Sequence, residues 1–303
     1  MNMRRRASAG RSGAALMLAL WALFLLSAMV IAWALDINSR LTLSGDANRV
    51  VEAEAMAASG AEIALSPSVE IGSSVLRGSL GRNQTYDARI TGEGGRLNVN
   101  WILAGENPQR IAILRQYLEV KEIDLNERDR MIDCLLDFVD PNDLVRLNGA
   151  EAEAGYQPKN SLLQRVDELK RVKAWEKFTA QPNWDADFTL FSTGPVDLVW
   201  ASREVLLSLP GINNQIADRF LSYRRGPDEI DGTEDDPVFD SFDQVRLALG
   251  FTPDQFAQLS GVIGFKDQVV RVVSVGRSGD VTRTVEMIVR KSTQPQMIRW
   301  KEY

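Results

Sequence analysis

The densest group of residues able to do chemistry is an acidic segment in the last third of the chain. The segment GPDEIDGTEDDPVFDSFD, residues 226–243, holds eight Asp and Glu residues and no Lys or Arg. Confining so many like charges in one loop is unfavourable unless a cation neutralises them. Ca²⁺ takes about six to eight oxygen ligands from carboxylates and carbonyls, so calcium is the predicted cofactor. The predicted ligands are Asp228, Asp231, Asp235, Asp236 and Asp240, with the Thr233 carbonyl completing the shell.

The alternative interpretation of this acidic segment is a solvated surface loop. Its spacing is not that of an EF-hand, because the pattern D-x-[DN]-x-[DN]-G does not occur in it. The density of carboxylates, rather than their spacing, is what favours calcium.

The residues needed for common catalytic sites are missing from the chain. There is no histidine, and Cys134 is the single cysteine. Ser-His-Asp and Cys-His catalysis are therefore excluded, and a zinc site is disfavoured. Two carboxylates in a cleft could form a glycosidase pair, but nothing in the sequence brings a pair to the required separation. The candidates are Asp137, Asp140, Asp143, Glu151 and Glu168. The sequence predicts a protein that is not an enzyme.

A helix, a Pro-Gly turn and a second helix precede the acidic segment, in SREVLLSLPGINNQIADRFLSYRR. The L-P-G-I spacing is that of a helix-hairpin-helix, which in some proteins brings backbone N–H groups to a nucleic-acid phosphate. Asn213 replaces the small residue that such a contact needs, and the carboxylates that follow would repel a phosphodiester backbone. Nucleic acid is therefore not a predicted partner, and a packing role for the hairpin is favoured.

The amino-terminal region predicts a membrane anchor. Four arginines precede an uncharged run of 22 residues, Ala14–Leu35. At 1.5 Å per residue this run gives about 33 Å of helix, enough for a hydrocarbon core of about 30 Å. By the positive-inside rule, the arginines place the leader in the cytoplasm, so we expect the rest of the chain to be exported across the membrane. Signal cleavage after Ala34, a plain anchor and pilin-type processing all remain open on these grounds.

The exported part, residues 36–303, is acidic. It carries 31 Lys and Arg against 41 Asp and Glu, a net charge of −10. Because nucleic acids and anionic lipid head groups are bound chiefly through Lys and Arg, this balance argues against both as partners of the exported part.

The elements predicted around these residues form an α+β protein. A helix of residues 36–77 continues the membrane-spanning residues 14–35, and strands are predicted in residues 78–107 and 265–303. The clearest hairpin turns at Gly276–Gly279. Between the two β portions, residues 108–264 show helical spacing, and neither portion makes a sheet alone. We therefore predict an all-α domain, of helix-hairpin-helix or SAM-like type, inserted between segments of a small antiparallel β domain.

Taken in order, four stretches resemble the minor pseudopilin K family of the bacterial type II secretion system. They are RSGAALMLALWALFLLSAM, GGRLNVN, the DFVDPND…NGAE…VDEL block, and SREVLLSLPGI followed by the acidic segment and FDSFDQV. The resemblance covers essentially the whole chain. It implies a single-pass inner-membrane protein with its carboxy-terminal body in the periplasm. It also implies that a prepilin peptidase removes leader residues 1–13 by cutting after Gly13, and methylates Ala14, where most pilins have Phe.

The resemblance further implies a place at the tip of the pseudopilus. Most pilins carry Glu five residues into the mature chain, where it pairs with the amino terminus of a neighbour, and here that position is Leu18. A subunit with nothing ahead of it needs no such partner. The expected function is to initiate and cap pseudopilus assembly for protein secretion, with minor pseudopilins of types I and J as partners. The alternative is a membrane-anchored, competence-type helix-hairpin-helix protein that binds DNA.

Overall fold

The structure, a computed structural model, describes residues 11–81, 83–292 and 294–303. Its helices, in chain order, are α1 (Arg11–Leu65), α2 (Val99–Leu103), α3 (Pro108–Val120), α4 (Leu125–Val139), α5 (Glu176–Thr179), α6 (Arg203–Leu207), α7 (Asn214–Arg224), α8 (Phe242–Leu249) and α9 (Pro253–Ala257). Its strands are β1 (Arg77–Leu80), β2 (Gln84–Gly92), β3 (Leu97–Asn98), β4 (Phe188–Thr189), β5 (Val196–Asp197), β6 (Ile263–Gly264), β7 (Val269–Ser278), β8 (Val281–Arg290) and β9 (Gln296–Glu302). Short 3₁₀ turns lie at Ser74–Leu76, Glu93–Gly95, Ala104–Glu106 and Val166–Arg171.

Helix α1 joins the apolar run to the sheet without a break. Its first part is long and apolar enough to cross a membrane, and in its last turns Ala53, Ala57, Ala61 and Ala64 are buried. The helix ends at Leu65, short of the predicted residue 77. Pro67 accounts for the difference, because proline disfavours helical geometry in the residue before it and has no N–H to donate.

Both ends of the body contribute to one five-stranded antiparallel sheet, in the order β1-β2-β7-β8-β9. The central pair is β2 and β7, in which Ile90 lies opposite Val272. Apolar side chains of the sheet, including Met287, pack on the alanine face of α1. Gly276, predicted in the hairpin turn, lies instead within β7, where a Cβ would collide with the backbone of α1 at Ala53 and Ala57. The hairpin turns at Gly279 and Asp280, since Ser278 and Val281 are paired.

One predicted strand of the β portion lies elsewhere. Leu97 and Asn98 form β3, which pairs in parallel with β4 in the helical region, and they are not part of the five-stranded sheet. The Asn98 side chain accepts a hydrogen bond from Trp101 N, which begins α2 immediately afterwards. Residues 93–107, predicted within the β domain, therefore belong to the helical domain.

The inserted helical domain has its own core. Aromatic rings of Tyr117, Trp175, Phe178 and Phe188 meet edge to face, and Trp175 donates its indole N–H to the Met131 carbonyl. Within the region predicted to be helical, residues 166–171 form only the 3₁₀ turn Val166–Arg171, because the chain becomes extended again at residue 172. Helices α3 to α9 lie within residues 108–264, where helical spacing is predicted. However, α2 lies in a segment predicted as β, and the short strands β4, β5 and β6 fall inside the region predicted to be all-α. The α+β fold class, with an apolar amino-terminal helix and an antiparallel sheet, is confirmed.

Candidate metal centre and charged clusters

The acidic segment forms the loop between α7 and α8, and it brings together three of the five predicted ligands. One carboxylate oxygen from each of Asp228, Asp235 and Asp236 lies within 4.8 Å of the others. Thr233 Oγ1 donates to Asp235 Oδ1 at 2.8 Å, and Gly232 N donates to Asp236 Oδ2 at 2.6 Å. These bonds fold the loop around its own carboxylates. We call Asp228, Asp235 and Asp236 the aspartate cluster.

Asp231 is turned away from the cluster to two arginines. Arg224 donates from Nε to Asp231 Oδ1 at 2.8 Å and from Nη2 to Oδ2 at 3.0 Å, and Arg225 Nε reaches Oδ2 at 3.0 Å. Arg224 is 4 % exposed and also donates to the carbonyls of Leu198 and Ala201. Asp231 therefore neutralises a buried guanidinium and ties the loop to the helical domain.

Asp240 also has a basic partner. Its Oδ1 accepts from Lys266 Nζ at 3.2 Å, and both side chains are largely exposed. Sequence reasoning missed Lys266, Arg224 and Arg225 because they lie outside the acidic run, although the two arginines immediately precede it. The structure thus divides the five predicted ligands into the aspartate cluster and two carboxylates with basic partners.

Within the aspartate cluster, the pKa values of Asp236 and Asp235 shift in opposite directions. Burial raises the pKa of Asp236, and the negative charges of Asp231 and Asp228 raise it further, against hydrogen bonds from Gly232 N and Thr233 N that lower it. At Asp235 the hydrogen bond from Thr233 holds the pKa below its ordinary value. Carboxylate oxygens of this kind, together with nearby carbonyls, are the ligands that a hard dication prefers.

The helix-hairpin-helix is formed by α6, α7 and the turn at Pro210 and Gly211, whose φ is +79°. The Asn213 side chain accepts a hydrogen bond from Ile216 N at 3.0 Å. It therefore caps α7 at the position where a phosphate-binding hairpin needs a small residue. A groove of about 610 Å³ beside the turn is lined by neutral residues among those that the structure describes, including Gln109, Gln116 and Gln258. The hairpin offers a phosphate no cation in this groove.

The other carboxylates singled out in the sequence are mostly engaged. Asp137 is fully buried and, like Asp140, is bound to Arg146. Glu168 pairs with Lys159 at 2.6 Å, and Asp143 accepts from Asn160. Glu151 differs, since neither of its buried carboxylate oxygens has a hydrogen-bond partner. Burial raises the pKa of Cys134 to about 11, which keeps this residue as an unreactive thiol.

A second charged cluster, which we call the junction cluster, lies where the chain leaves the sheet for the helical domain. Glu93, with 0 % exposure, accepts two hydrogen bonds of 2.9 Å from Arg271 and one of 2.8 Å from Arg96. Burial acts to raise the pKa of Glu93, but the bonds and charges of Arg271 and Arg96 hold it below its ordinary value. Thr189 of β4 donates to the same carboxylate, and Arg271 also pairs with Glu286 of β8 at 3.0 Å.

At the amino terminus, Gly13, Ala14 and Leu18 lie in the first turns of α1, with Leu18 71 % exposed. The first ten residues of the predicted leader lie outside the described residues.

Comparison with known families finds a match within the helical domain. Residues 95–181 match the model of the type II secretion system protein K, first domain. We call residues 95–181 the protein K domain, after the model that they match. The resemblance to the minor pseudopilin K family seen in the sequence is thereby confirmed. This protein K domain includes β3 and the rings of the aromatic core up to Phe178, so it begins where the chain leaves the sheet.

The solved structures give the same fold. A chain of the GspK-GspI-GspJ complex from the enterotoxigenic Escherichia coli type 2 secretion system superposes with a TM-score of 0.53 and 12 % sequence identity. The match covers 88 % of this chain and 99 % of that chain. The likeness therefore extends beyond the protein K domain to the helix and sheet around it. No curated protein matches the sequence.

Proposed function

We propose that this chain is the minor pseudopilin at the tip of a type II secretion pseudopilus, where it initiates and caps assembly. The observation that carries the proposal is the protein K domain inserted between the strands of a pilin-like helix and sheet. The inserted domain makes the body bulky next to α1, which suits a subunit with no other subunit stacked above it. Its role is structural rather than enzymatic.

Leu18 supports the terminal position. An unpaired carboxylate within the apolar segment would cost several kcal/mol, and leucine avoids that cost where no neighbour supplies an amine. In a strain deleted for this chain, Leu18→Glu should restore secretion no better than the unmutated chain, because no subunit ahead offers a partner. Improved incorporation of Leu18→Glu along the filament would contradict the capping role. The same strain without a restored copy should fail to secrete.

The membrane segment is proposed to be kept after removal of a short leader. A prepilin peptidase would cut after Gly13 and methylate Ala14, leaving residues 14–35 in the inner membrane and the acidic body in the periplasm. Mass spectrometry of the membrane-extracted protein should find methylated Ala14. A chain beginning at Leu35 would point to signal cleavage instead, and an intact Met1 to a plain anchor.

The proposed partners are minor pseudopilins of types I and J, as in the GspK-GspI-GspJ complex. Between the membrane run and the alanine face, α1 carries exposed apolar side chains at Leu41, Leu43 and Val51. A helix that is exposed along this length offers a surface for other pilin helices. Copurification of the full chain with both partners should fail for Leu41→Asp with Leu43→Asp, but not for Leu80→Asp on the far edge strand β1.

Calcium is proposed as the ligand of the aspartate cluster. Asp228, Asp235 and Asp236 would hold the ion, which would relieve their mutual repulsion and order the loop. The full chain should melt at a higher temperature in calcium than in chelator, because an ion that binds only the folded state stabilises it by mass action. Asp235→Asn with Asp236→Asn should abolish that difference. Asp240→Asn, outside the cluster, should keep it. Equal melting temperatures for the unmutated chain, without bound metal by elemental analysis, would reject the site.

DNA binding is the competing class of function. Its test is an electrophoretic shift with the full chain in detergent. Tight, salt-sensitive binding would overturn the proposed function, and the neutral groove beside Gly211 predicts none.

A further inference from the structure

Three large apolar side chains close together on one loop of the helical domain are exposed. Leu144, Val145 and Leu147 are 79 %, 62 % and 96 % exposed. Single exposed apolar residues are ordinary on a protein surface, but a contiguous group marks a site of interaction. We call residues 144–147 the apolar loop.

The apolar loop is held in place from beneath. Arg146, between the exposed side chains, donates to Asp137 and Asp140 and reaches Glu106 Oε1 at 2.7 Å. Its backbone N–H also donates to Asp137 Oδ2 at 3.2 Å. Because Asp137 is fully buried, the loop is anchored in the core of the helical domain.

The following residue completes the anchor. Asn148 donates from both its backbone and its side chain to Asp133 Oδ2, at 3.1 and 3.0 Å. On the other side, Leu144 N donates to Asn142 Oδ1 at 2.8 Å. A loop fixed in this way presents its apolar side chains without needing to be ordered on contact, which lowers the entropic cost of binding.

The surroundings of the loop are acidic. Asp143 is exposed, and so is Glu106, whose side chain is 55 % exposed beside Arg146. Arg146 is already bound to three carboxylates, so negative charge remains for a partner to neutralise. An anionic membrane would be repelled by such a rim.

We propose that the apolar loop is a docking surface for a protein partner with an apolar pocket flanked by Lys or Arg side chains. Leu147 and Leu144 enter the pocket, and the partner's cations meet Asp143 and Glu106. This inference rests on the proposed function, because it assigns the contact to the secretion machinery in which the chain works. Its failure is distinguishable, since deletion of the whole chain tests the function without reference to the loop.

The first test replaces the apolar side chains in the full chain, expressed in a strain deleted for it. Leu144→Asn, Val145→Thr and Leu147→Asn together should lower secretion at least tenfold, while the amount of protein and its melting temperature stay unchanged. The matched control is Val238→Asn, which alters an equally exposed apolar residue on another loop. Normal secretion by the triple variant, in a strain where deletion abolishes secretion, would overturn the inference and leave the proposed function standing.

The second test asks what covers the loop. A photo-crosslinking residue in place of Leu147, in intact secreting cells, should form a discrete adduct with one protein. Asp143→Lys should lower the yield of that adduct at least fivefold, whereas Asp254→Lys, a change at an exposed aspartate of α9, should not. An adduct with phospholipid alone, an adduct insensitive to Asp143→Lys, or the absence of any adduct would each count against a basic protein partner.

Discussion

The junction cluster and the acidic loop differ in how their carboxylates are buried and paired. At the junction, Glu93 is completely buried and two arginines neutralise it, one of them far along the chain in β7. In the loop, the aspartate cluster has three carboxylates close together with no salt bridge to a Lys or Arg among the described residues, while Asp231 and Asp240 are paired. The density of charge in the sequence pointed to the loop and gave no sign of the junction. Burial and pairing, rather than local charge count, decide where a carboxylate matters to stability.

The junction should give the largest effect on stability. Glu93→Gln leaves the partly buried Arg271 and Arg96 without their shared, fully buried counter-ion, and breaking a buried ion pair costs about 3–5 kcal/mol. The free energy of unfolding, measured by urea titration of the full chain in detergent, should fall by that amount. In contrast, Glu93→Met with Arg271→Met should recover part of the loss. A loss under about 1 kcal/mol for Glu93→Gln would remove the distinction between the two regions.

Asp197 should make stability depend on pH close to this junction. Burial raises the pKa of Asp197 to about 6, and nearby Asp267 adds to the rise. The folded state therefore holds the proton more tightly than the unfolded chain, whose pKa is about 4. The resulting contribution of Asp197 to the free energy of unfolding is fully present below about pH 4. It is lost as the pH rises to about 6, and it amounts to about 3 kcal/mol at most.

The measurement is the melting temperature from pH 4 to pH 7 for the unmutated chain and for Asp197→Asn. The asparagine variant should gain on the unmutated chain as the pH rises, and the gain should level off above about pH 6. Parallel curves would show that Asp197 does not titrate differently in the folded state.

Asp231→Asn should have an intermediate effect. It removes the counter-ion of the buried Arg224, but the Leu198 and Ala201 carbonyls still accept from that guanidinium. A buried charged group that loses one partner costs about 1–3 kcal/mol, and we expect about 2 kcal/mol. Thermal unfolding in chelator measures the loss free of any calcium effect. A loss as large as that of Glu93→Gln would mean that the loop and the junction are equally important.

Lys266→Ala should have the smallest effect. The pair between Lys266 and Asp240 is exposed on both sides, and pairs of that kind contribute less than about 1 kcal/mol. The loss should shrink further in high salt, which screens exposed charges. A salt-independent loss of stability above about 1 kcal/mol would show that Asp240, like Asp231, stabilises the fold through its ion pair.

Local patterns predicted much of the fold. The apolar run, the helices α3, α4 and α6 to α9, and the β7–β8 hairpin are all encoded by residues near one another. Asn107 capping α3 and Thr252 capping α9 show why, since each satisfies backbone donors within three residues. The predicted end of α1 at residue 77 was wrong because Pro67 ends the helix earlier. The predicted strand around Leu97 was misplaced because Asn98 caps a helix immediately after it.

The sites were harder to predict than the elements. All five predicted ligands lie on one loop, but only three converge, because Asp231 and Asp240 pair with basic side chains instead. Nothing local shows that Arg224 turns towards Asp231, or that Glu93 meets Arg271 of β7. One signal was available: Glu93 stands between Gly92 and Gly94, where a Cβ would collide with Trp200 or Asp267. An acidic residue in so crowded a glycine run is a candidate for burial.

The order of the strands sets the order of folding. Because β2 pairs with β7, the five-stranded sheet cannot form until residues 93–268 have been made. Closing a loop of that length costs about 4–5 kcal/mol of chain entropy, less if the insertion has already folded and drawn its ends together. Until then the alanine face of α1 stays uncovered, because the strands β7 and β8 that pack on it come last in the chain. A chain interrupted before β7 would therefore lack the strands that bury this face.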